Sequence, residues 1–114
     1  MGIVSFYRSL RHALRGLKTV LATEKNFRAH LLIAFIVIVA GLWKNLDKIS
    51  WIVLLLVMAM IMALEIFNSA IERLVDILAP KTHNFAKEIK DLLAGMVLLV
   101  SFFAIAIGLI VFLL

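Results

Sequence analysis

Three long runs without Asp, Glu, Lys or Arg constrain the fold more than any other feature of the sequence. They cover residues 29–43, 49–64 and 92–114. A helix needs about 20 apolar residues to span a bilayer, and the third run reaches that length unaided. The first two reach it when polar residues at their ends extend into the interface. Because 65% of all residues are apolar, well above the usual share in soluble domains, the sequence predicts an integral membrane protein.

An amphipathic segment precedes the first run. Between residues 3 and 21, nearly all apolar side chains fall within one arc of a helix and the basic and polar ones occupy the opposite half. This pattern is typical of a helix in the headgroup plane, where anchoring alone would explain it. We expect a single-domain all-α membrane protein, residues 1–114, with this surface helix and three transmembrane helices. The expected bounds are 3–24 for the surface helix, 29–46, 49–78 and 92–114 for the spans, and 79–91 for the second loop.

The distribution of Lys and Arg predicts the orientation in the membrane. Ten of the twelve lie before the first span or after the second, and only Lys44 and Lys48 lie between these two spans. Cytoplasmic loops carry the excess of basic residues, so the N-terminus and the second loop are expected in the cytoplasm. A net charge of +5 on so apolar a chain favours lipid headgroups over nucleic acid as the partner.

Five polar side chains share one face at the inner end of the second span. A helix over residues 65–76, EIFNSAIERLVD, brings together Glu65, Asn68, Ser69, Glu72 and Asp76. Carboxylates at membrane depth are costly unless a cation, a proton or hydrogen-bond donors compensate them. Their oxygen atoms suit Mg²⁺, especially with a substrate phosphate. Solvation at a helix end would explain Asp76 about as well, Glu72 less well and Glu65 poorly.

Further charged residues flank this face in the sequence. Glu24 would project toward the apolar side of the surface helix if that helix continues so far, and would then need a partner or a metal. The second loop carries Lys81 and His83, and Lys90 and Asp91 precede the third span. Basic side chains near an acidic metal site could bind phosphate, although positive-inside residues are the ordinary explanation for loop lysines.

Three motifs resemble one known family over nearly the whole chain. EKNFRAH at 24–30, EIFNSAIERLVD at 65–76 and HNFAKEIKDLLAG at 83–95 are similar to motifs of the small prokaryotic diacylglycerol kinase and undecaprenol kinase family. The resemblance implies a homotrimer of three-span subunits with active sites shared between neighbours. It also implies Mg²⁺-dependent transfer of the ATP γ-phosphoryl group to a membrane lipid alcohol, at the cytoplasmic face of the bacterial cell membrane.

The same resemblance implies a role for individual residues. Glu65 matches the general base, and Glu24 and Glu72 match the carboxylates that bind Mg²⁺ and the nucleotide. The other nucleotide-binding positions are Lys81, Thr82, His83, Lys90 and Asp91. The supporting or substrate-contacting positions are Asn68, Arg28 and Ala94.

The choice of lipid depends on a single position in this comparison. His30 resembles the undecaprenol kinase branch, whereas the diacylglycerol kinase branch has an acidic residue there. We therefore expect undecaprenol as the substrate, with diacylglycerol as the alternative.

Two other classes of protein compete with a lipid kinase: a conductor of ions or protons, and a small structural membrane subunit. A conductor needs polar positions through the outer half of its spans. The second span has none outward of Glu65 until Ser50, and the third offers only Ser101. This pattern favours an enzyme whose polar site faces one side of the membrane.

Overall fold

A computed structural model describes residues 2–78 and 84–114 of the chain. All secondary structure in these residues is helical: α1 (Gly2–Thr23), α2 (Lys25–Lys44), α3 (Lys48–Leu78) and α4 (Asn84–Leu113). The predicted all-α fold class is thereby confirmed. The candidate residues Lys81, Thr82 and His83 lie outside the described residues.

Three of these helices are long and apolar enough to cross a membrane, namely α2, α3 and α4. All three begin before the predicted spans: α2 at Lys25 instead of 29, α3 at Lys48 instead of 49, and α4 at Asn84, eight residues before the uncharged run. α2 also ends at Lys44, two residues before the predicted bound. A helix continues past the bilayer wherever water or another helix satisfies its polar side chains. The helix ends therefore do not mark the membrane surface, and the span bounds stay predictions.

A single extended residue separates the surface helix from the first span. α1 ends at Thr23, and Glu24 takes φ −106° and ψ 109° before α2 begins. Glu24 thus forms the corner of the chain instead of continuing the face of α1. The Arg28 guanidinium donates hydrogen bonds to the carbonyl oxygens of Leu21 and Ala22, at 2.9 and 3.0 Å. These carbonyls lie in the last turn of α1, where a helix leaves acceptors unpaired.

The turn between α2 and α3 is tight. Asn45 ends α2 in the left-handed region, at φ 53° and ψ 56°, a conformation that asparagine tolerates better than most residues. A Cβ atom on Gly41 would lie 2.8 Å from the Trp51 ring, so only glycine permits this approach of α2 to α3. Ser50 donates a hydrogen bond to the carboxylate of Asp47, just before α3, at 2.6 Å. This bond lowers the pKa of Asp47 below its ordinary value.

The hydrophobic core of one chain is small, and α3 packs against both α2 and α4. Most large apolar side chains remain exposed, including the apolar residues of α1 such as Ile3 and Phe6. A bilayer and neighbouring subunits can cover such surfaces, whereas water cannot do so favourably. The buried apolar residues are Val20, Phe27, Ala34, Leu54, Val75, Ala86 and Leu93.

Candidate functional site

Burial decreases along the polar face of α3. Glu65 and Ser69 are buried, with exposures of 4% and 6%, and they are the buried polar residues among those described. Asn68 and Glu72 are half-buried, and Asp76 is exposed. Each carboxylate on this face therefore has a different degree of contact with solvent, which is least for Glu65.

Glu65 contacts a histidine on the neighbouring helix. The Nδ1 atom of His30, in α2, lies 3.1 Å from Oε1 of Glu65. The angles fall short of a hydrogen bond, so His30 Nδ1 has no hydrogen-bond partner as placed. His30, which the sequence singled out only for the choice of lipid, lies against Glu65 with 24% of its side chain exposed.

Arg73 connects α3 to the corner between α1 and α2. Its Nη2 atom donates a hydrogen bond to the hydroxyl of Thr23 at 2.8 Å and lies 3.8 Å from Oε2 of Glu24. Glu24 is therefore placed beside the polar face of α3, next to the residue that follows Glu72 in the chain. Sequence reasoning did not identify Arg73, although its position directly after Glu72 was a signal.

An ion pair connects α3 to α4 at the more exposed end of the same face. Lys90 donates to Oδ1 of Asp76 at 2.6 Å. Asp76 thus has a specific partner rather than solvent alone. Asp91 and Ala94 are exposed on α4, and the structure brings neither into a contact with Glu65 or Glu24.

Two recesses lie on either side of Glu65 along α3. A groove of about 430 Å³ between α1 and α3 is lined by Ile66, Ser69, Ala70 and Arg73 from α3 and by His12, Arg15, Gly16, Thr19 and Val20 from α1. An apolar cavity of about 310 Å³ extends the other way, lined on α3 by Leu54, Val57, Met58 and Ile61. Its other walls are His30, Ile33 and Val37 of α2 and Ser101, Ala104, Ile105, Gly108 and Phe112 of α4.

Along α3, Glu65 lies between a groove that contains basic side chains and an apolar cavity. Toward residue 73 the groove contains basic side chains, His12, Arg15 and Arg73. Toward residue 54 the cavity is almost wholly apolar. Glu65 itself lines neither recess; its position in α3 lies between the residues that line the groove and those that line the cavity.

The carboxylates of Glu24 and Glu72 have the right chemistry for a magnesium ion that arrives with nucleotide phosphates. Within the described residues, no three His, Asp or Glu side chains form a metal-binding group. Proteins usually bind Mg²⁺ through one or two carboxylates, while phosphate oxygens and water complete the octahedron. The residues thus fit a metal shared with a substrate and do not fit a cage made by one chain alone.

The profile of one protein family matches most of the chain. The family is described as prokaryotic diacylglycerol kinase, and the match covers residues 11–112. This chain belongs to that family. It is a lipid kinase, and its three long apolar helices agree with a membrane kinase.

Individual relatives act on two different lipids. The chain is 37% identical to the undecaprenol kinase of Bacillus subtilis over 108 residues, which cover 95% of this chain and 88% of the relative. It is 38% identical to a diacylglycerol kinase of Synechocystis over 101 residues, covering 88% of this chain and 58% of the relative. It is 26% identical to the diacylglycerol kinase of Escherichia coli over 104 residues, covering 91% and 85%. Overall identity therefore does not decide the substrate.

Proposed function

We propose that this chain catalyses Mg²⁺-dependent transfer of the γ-phosphoryl group of ATP to the hydroxyl of undecaprenol, at the cytoplasmic face of the bacterial cell membrane. The observation that carries the proposal is the position of buried Glu65 between a basic groove and an apolar cavity. A lipid kinase must bring a highly charged nucleotide and a long-chain alcohol to one point, and this arrangement suits both.

The nucleotide would occupy the basic side of Glu65. His12, Arg15 and Arg73 line the groove there, and guanidinium groups bind phosphate oxygens through charge-assisted hydrogen bonds. Glu24 and Glu72 would bind the magnesium ion. When bound, that ion would neutralise charge on the phosphates during phosphoryl transfer.

The alcohol would occupy the apolar side, with its hydroxyl at Glu65. The cavity runs along the helices from His30 and Ile61 at its inner end to Leu54 and Phe112, so a hydrocarbon chain would point into the membrane. Glu65 accepts the hydroxyl proton as the oxygen forms a bond to the γ-phosphorus. The bond from the γ-phosphorus to the oxygen that bridges the β- and γ-phosphates breaks, ADP leaves, and Glu65 returns the proton to water.

The undecaprenol assignment is supported by His30 and by the undecaprenol kinase of Bacillus subtilis, which matches 95% of the chain. Diacylglycerol is the second candidate, because a diacylglycerol kinase of Synechocystis is equally similar. Both alcohols place a hydroxyl at the end of long hydrocarbon chains, so both suit the same cavity.

The test uses purified protein in detergent with labelled ATP, Mg²⁺ and a panel of undecaprenol, diacylglycerol and ceramide. We expect Mg²⁺-dependent label in the lipid phase, with undecaprenol used most efficiently. Preference for diacylglycerol would transfer the assignment to the alternative substrate. Absence of transfer to every alcohol, from protein that is folded by circular dichroism, would overturn the proposed reaction.

We further propose that the active unit is a homotrimer. The exposed apolar surfaces of α2, α3 and α4 are extensive, and Asn68 keeps a buried side-chain oxygen without a hydrogen-bond partner in the chain as described. Buried polar atoms in native proteins normally have partners, and a neighbouring subunit or the bound substrate could provide one.

A further inference from the structure

His30 is the charged or titratable neighbour that the structure places within ion-pair distance of Glu65, among the residues described. Three basic side chains near this face contact other groups instead of Glu65. Arg28 on α2 donates to the carbonyls of α1, and Arg73 on α3 contacts Thr23 and Glu24. Lys90 on α4 pairs with Asp76. Within the described residues, the contact with His30 therefore links the proposed base, Glu65 of α3, to the neighbouring helix α2.

The contact leaves half of the carboxylate free for chemistry. His30 approaches Oε1 of Glu65, so Oε2 remains available to a substrate hydroxyl. The Glu65 side chain is only 5% exposed, which leaves little water to fix its orientation. A hydrogen bond from His30 Nδ1 to Oε1, once it is aligned, would limit the directions open to Oε2.

We propose that His30 is a positioning residue, which donates from Nδ1 to Oε1 of Glu65 and turns the free oxygen toward the inner end of the apolar cavity. The inference rests on the proposed function, since it assumes that Glu65 is the base. His30 itself lines that cavity, so one side chain both orients the carboxylate and borders the space for the alcohol. Catalytic hydrogen bonds are often poorly aligned without substrate and tighten when it binds, in agreement with the present angles.

The kinetic test compares His30→Leu, which removes the donor, with His30→Asn, whose amide nitrogen lies near the position of Nδ1. For His30→Leu we expect kcat to fall roughly 10- to 100-fold, the usual cost of losing a group that orients a reactive one. The KM for ATP should stay close to that of the wild type, because His30 lines the cavity proposed for the alcohol and not the basic groove. His30→Asn should recover most of the turnover. Leu32→Ala, on the exposed side of α2, is the matched control and should leave both parameters unchanged.

A double-mutant cycle separates positioning from packing. In the Glu65→Gln background, His30→Leu should cause little further loss, because there is no base left to orient. Equal losses from His30→Leu in both backgrounds would overturn the proposal, as would failure of His30→Asn to recover turnover. Wild-type activity on the lipid panel is measured first, so a failure of the proposed function is recognised independently of these ratios.

Nitrogen NMR of histidine-labelled protein tests the contact without any assay of activity. The His30 signal is identified by its loss in His30→Asn. We expect the Nδ1 resonance to move when Glu65→Ala removes the acceptor, whereas the His12 resonance stays in place. A His30 resonance that does not shift in Glu65→Ala would overturn the proposal. This outcome does not depend on whether His30→Leu folds.

Discussion

The carboxylates on the polar face of α3 are chemically alike but differ in burial. Glu65 is buried, Glu72 is half-buried, and Asp76 is exposed and paired with Lys90. At about 1.5 Å per residue, Glu65 and Glu72 lie about 10.5 Å apart along the helix axis. In the proposed mechanism, Glu65 therefore meets the lipid hydroxyl and Glu72 the aqueous nucleotide.

Glu65→Gln tests the role of the deepest carboxylate. The amide keeps the size of the side chain but cannot accept the hydroxyl proton, so we expect a loss of turnover of roughly 10²–10⁴-fold. Folding and nucleotide binding should be retained, as measured by circular dichroism and by ATP-analogue titration. Near-normal turnover would show that Glu65 serves only as a hydrogen-bonding group.

Glu24→Gln and Glu72→Gln test the magnesium proposal. Each substitution removes one anionic oxygen ligand, so we expect a higher Mg²⁺ concentration for half-maximal activity and partial recovery at saturating Mg²⁺. The measurement is a magnesium titration at fixed ATP. Asp76→Asn provides the comparison, with a smaller effect expected, because the Asp76 carboxylate pairs with Lys90. Unaltered magnesium dependence in both glutamate variants would remove these residues from the metal site.

At the scale of helices, charge-free runs and periodicity were enough to predict the surface helix and three long apolar helices. The expected bounds, 3–24 and 29–46, located the break between α1 and α2, but the single extended residue at Glu24 was not predictable, since the sequence offers no glycine or proline there. The contact of His30 with Glu65 also depends on packing. Periodicity places a residue on a face, but it does not determine which residue of the next helix lies opposite.

Small side chains on α4, such as Ala104 and Gly108, leave room for the apolar cavity. A Cβ atom added to Gly108 meets nothing within 4 Å, so Gly108→Leu should fill part of the cavity without a clash in its own chain. We expect a higher KM for a long-chain alcohol and nearly unchanged turnover of a short-chain alcohol. Steady-state kinetics give the ratio of kcat/KM for the long-chain alcohol to kcat/KM for the short-chain alcohol.

The control for this experiment is Leu109→Phe, which enlarges a side chain one position away on an exposed part of α4 and leaves the cavity lining unchanged. Leu109→Phe should change the kinetics with neither alcohol. If Gly108→Leu changes the kinetics of both alcohols equally, or of neither, the cavity does not bind the hydrocarbon chain.

At the scale of the whole molecule, the proposed trimer predicts complementation between inactive chains. Glu65→Ala and Glu72→Ala subunits should regain part of the activity when mixed, provided that one active site takes these residues from different chains. Activity is measured after co-reconstitution, and differential affinity tags verify the mixed oligomers. Verified mixtures that stay inactive would place both residues of each active site on one chain.

The proposed composite site also explains where sequence reasoning reached its limit. The motifs identified Glu24, Glu65 and Glu72 as a set, yet the described part of one chain gathers no three acidic or histidine side chains into a metal group. Local patterns report which residues are unusual for their depth in a membrane. They do not report the distances between helices, which depend on packing within and between subunits.

The corner at Glu24 has a consequence for how the site is placed in the membrane. Only one extended residue connects α1 to α2. If α1 lies at the lipid surface, as the sequence predicts, it can therefore move very little along the membrane normal relative to the helix that crosses the membrane. The depth of α1 in the headgroup layer would then determine the depth of the site in the membrane. In the proposed arrangement, the boundary between headgroups and hydrocarbon would set the height of both the Glu24 carboxylate and the hydroxyl of the lipid alcohol, so the bilayer itself would align the enzyme with its substrate.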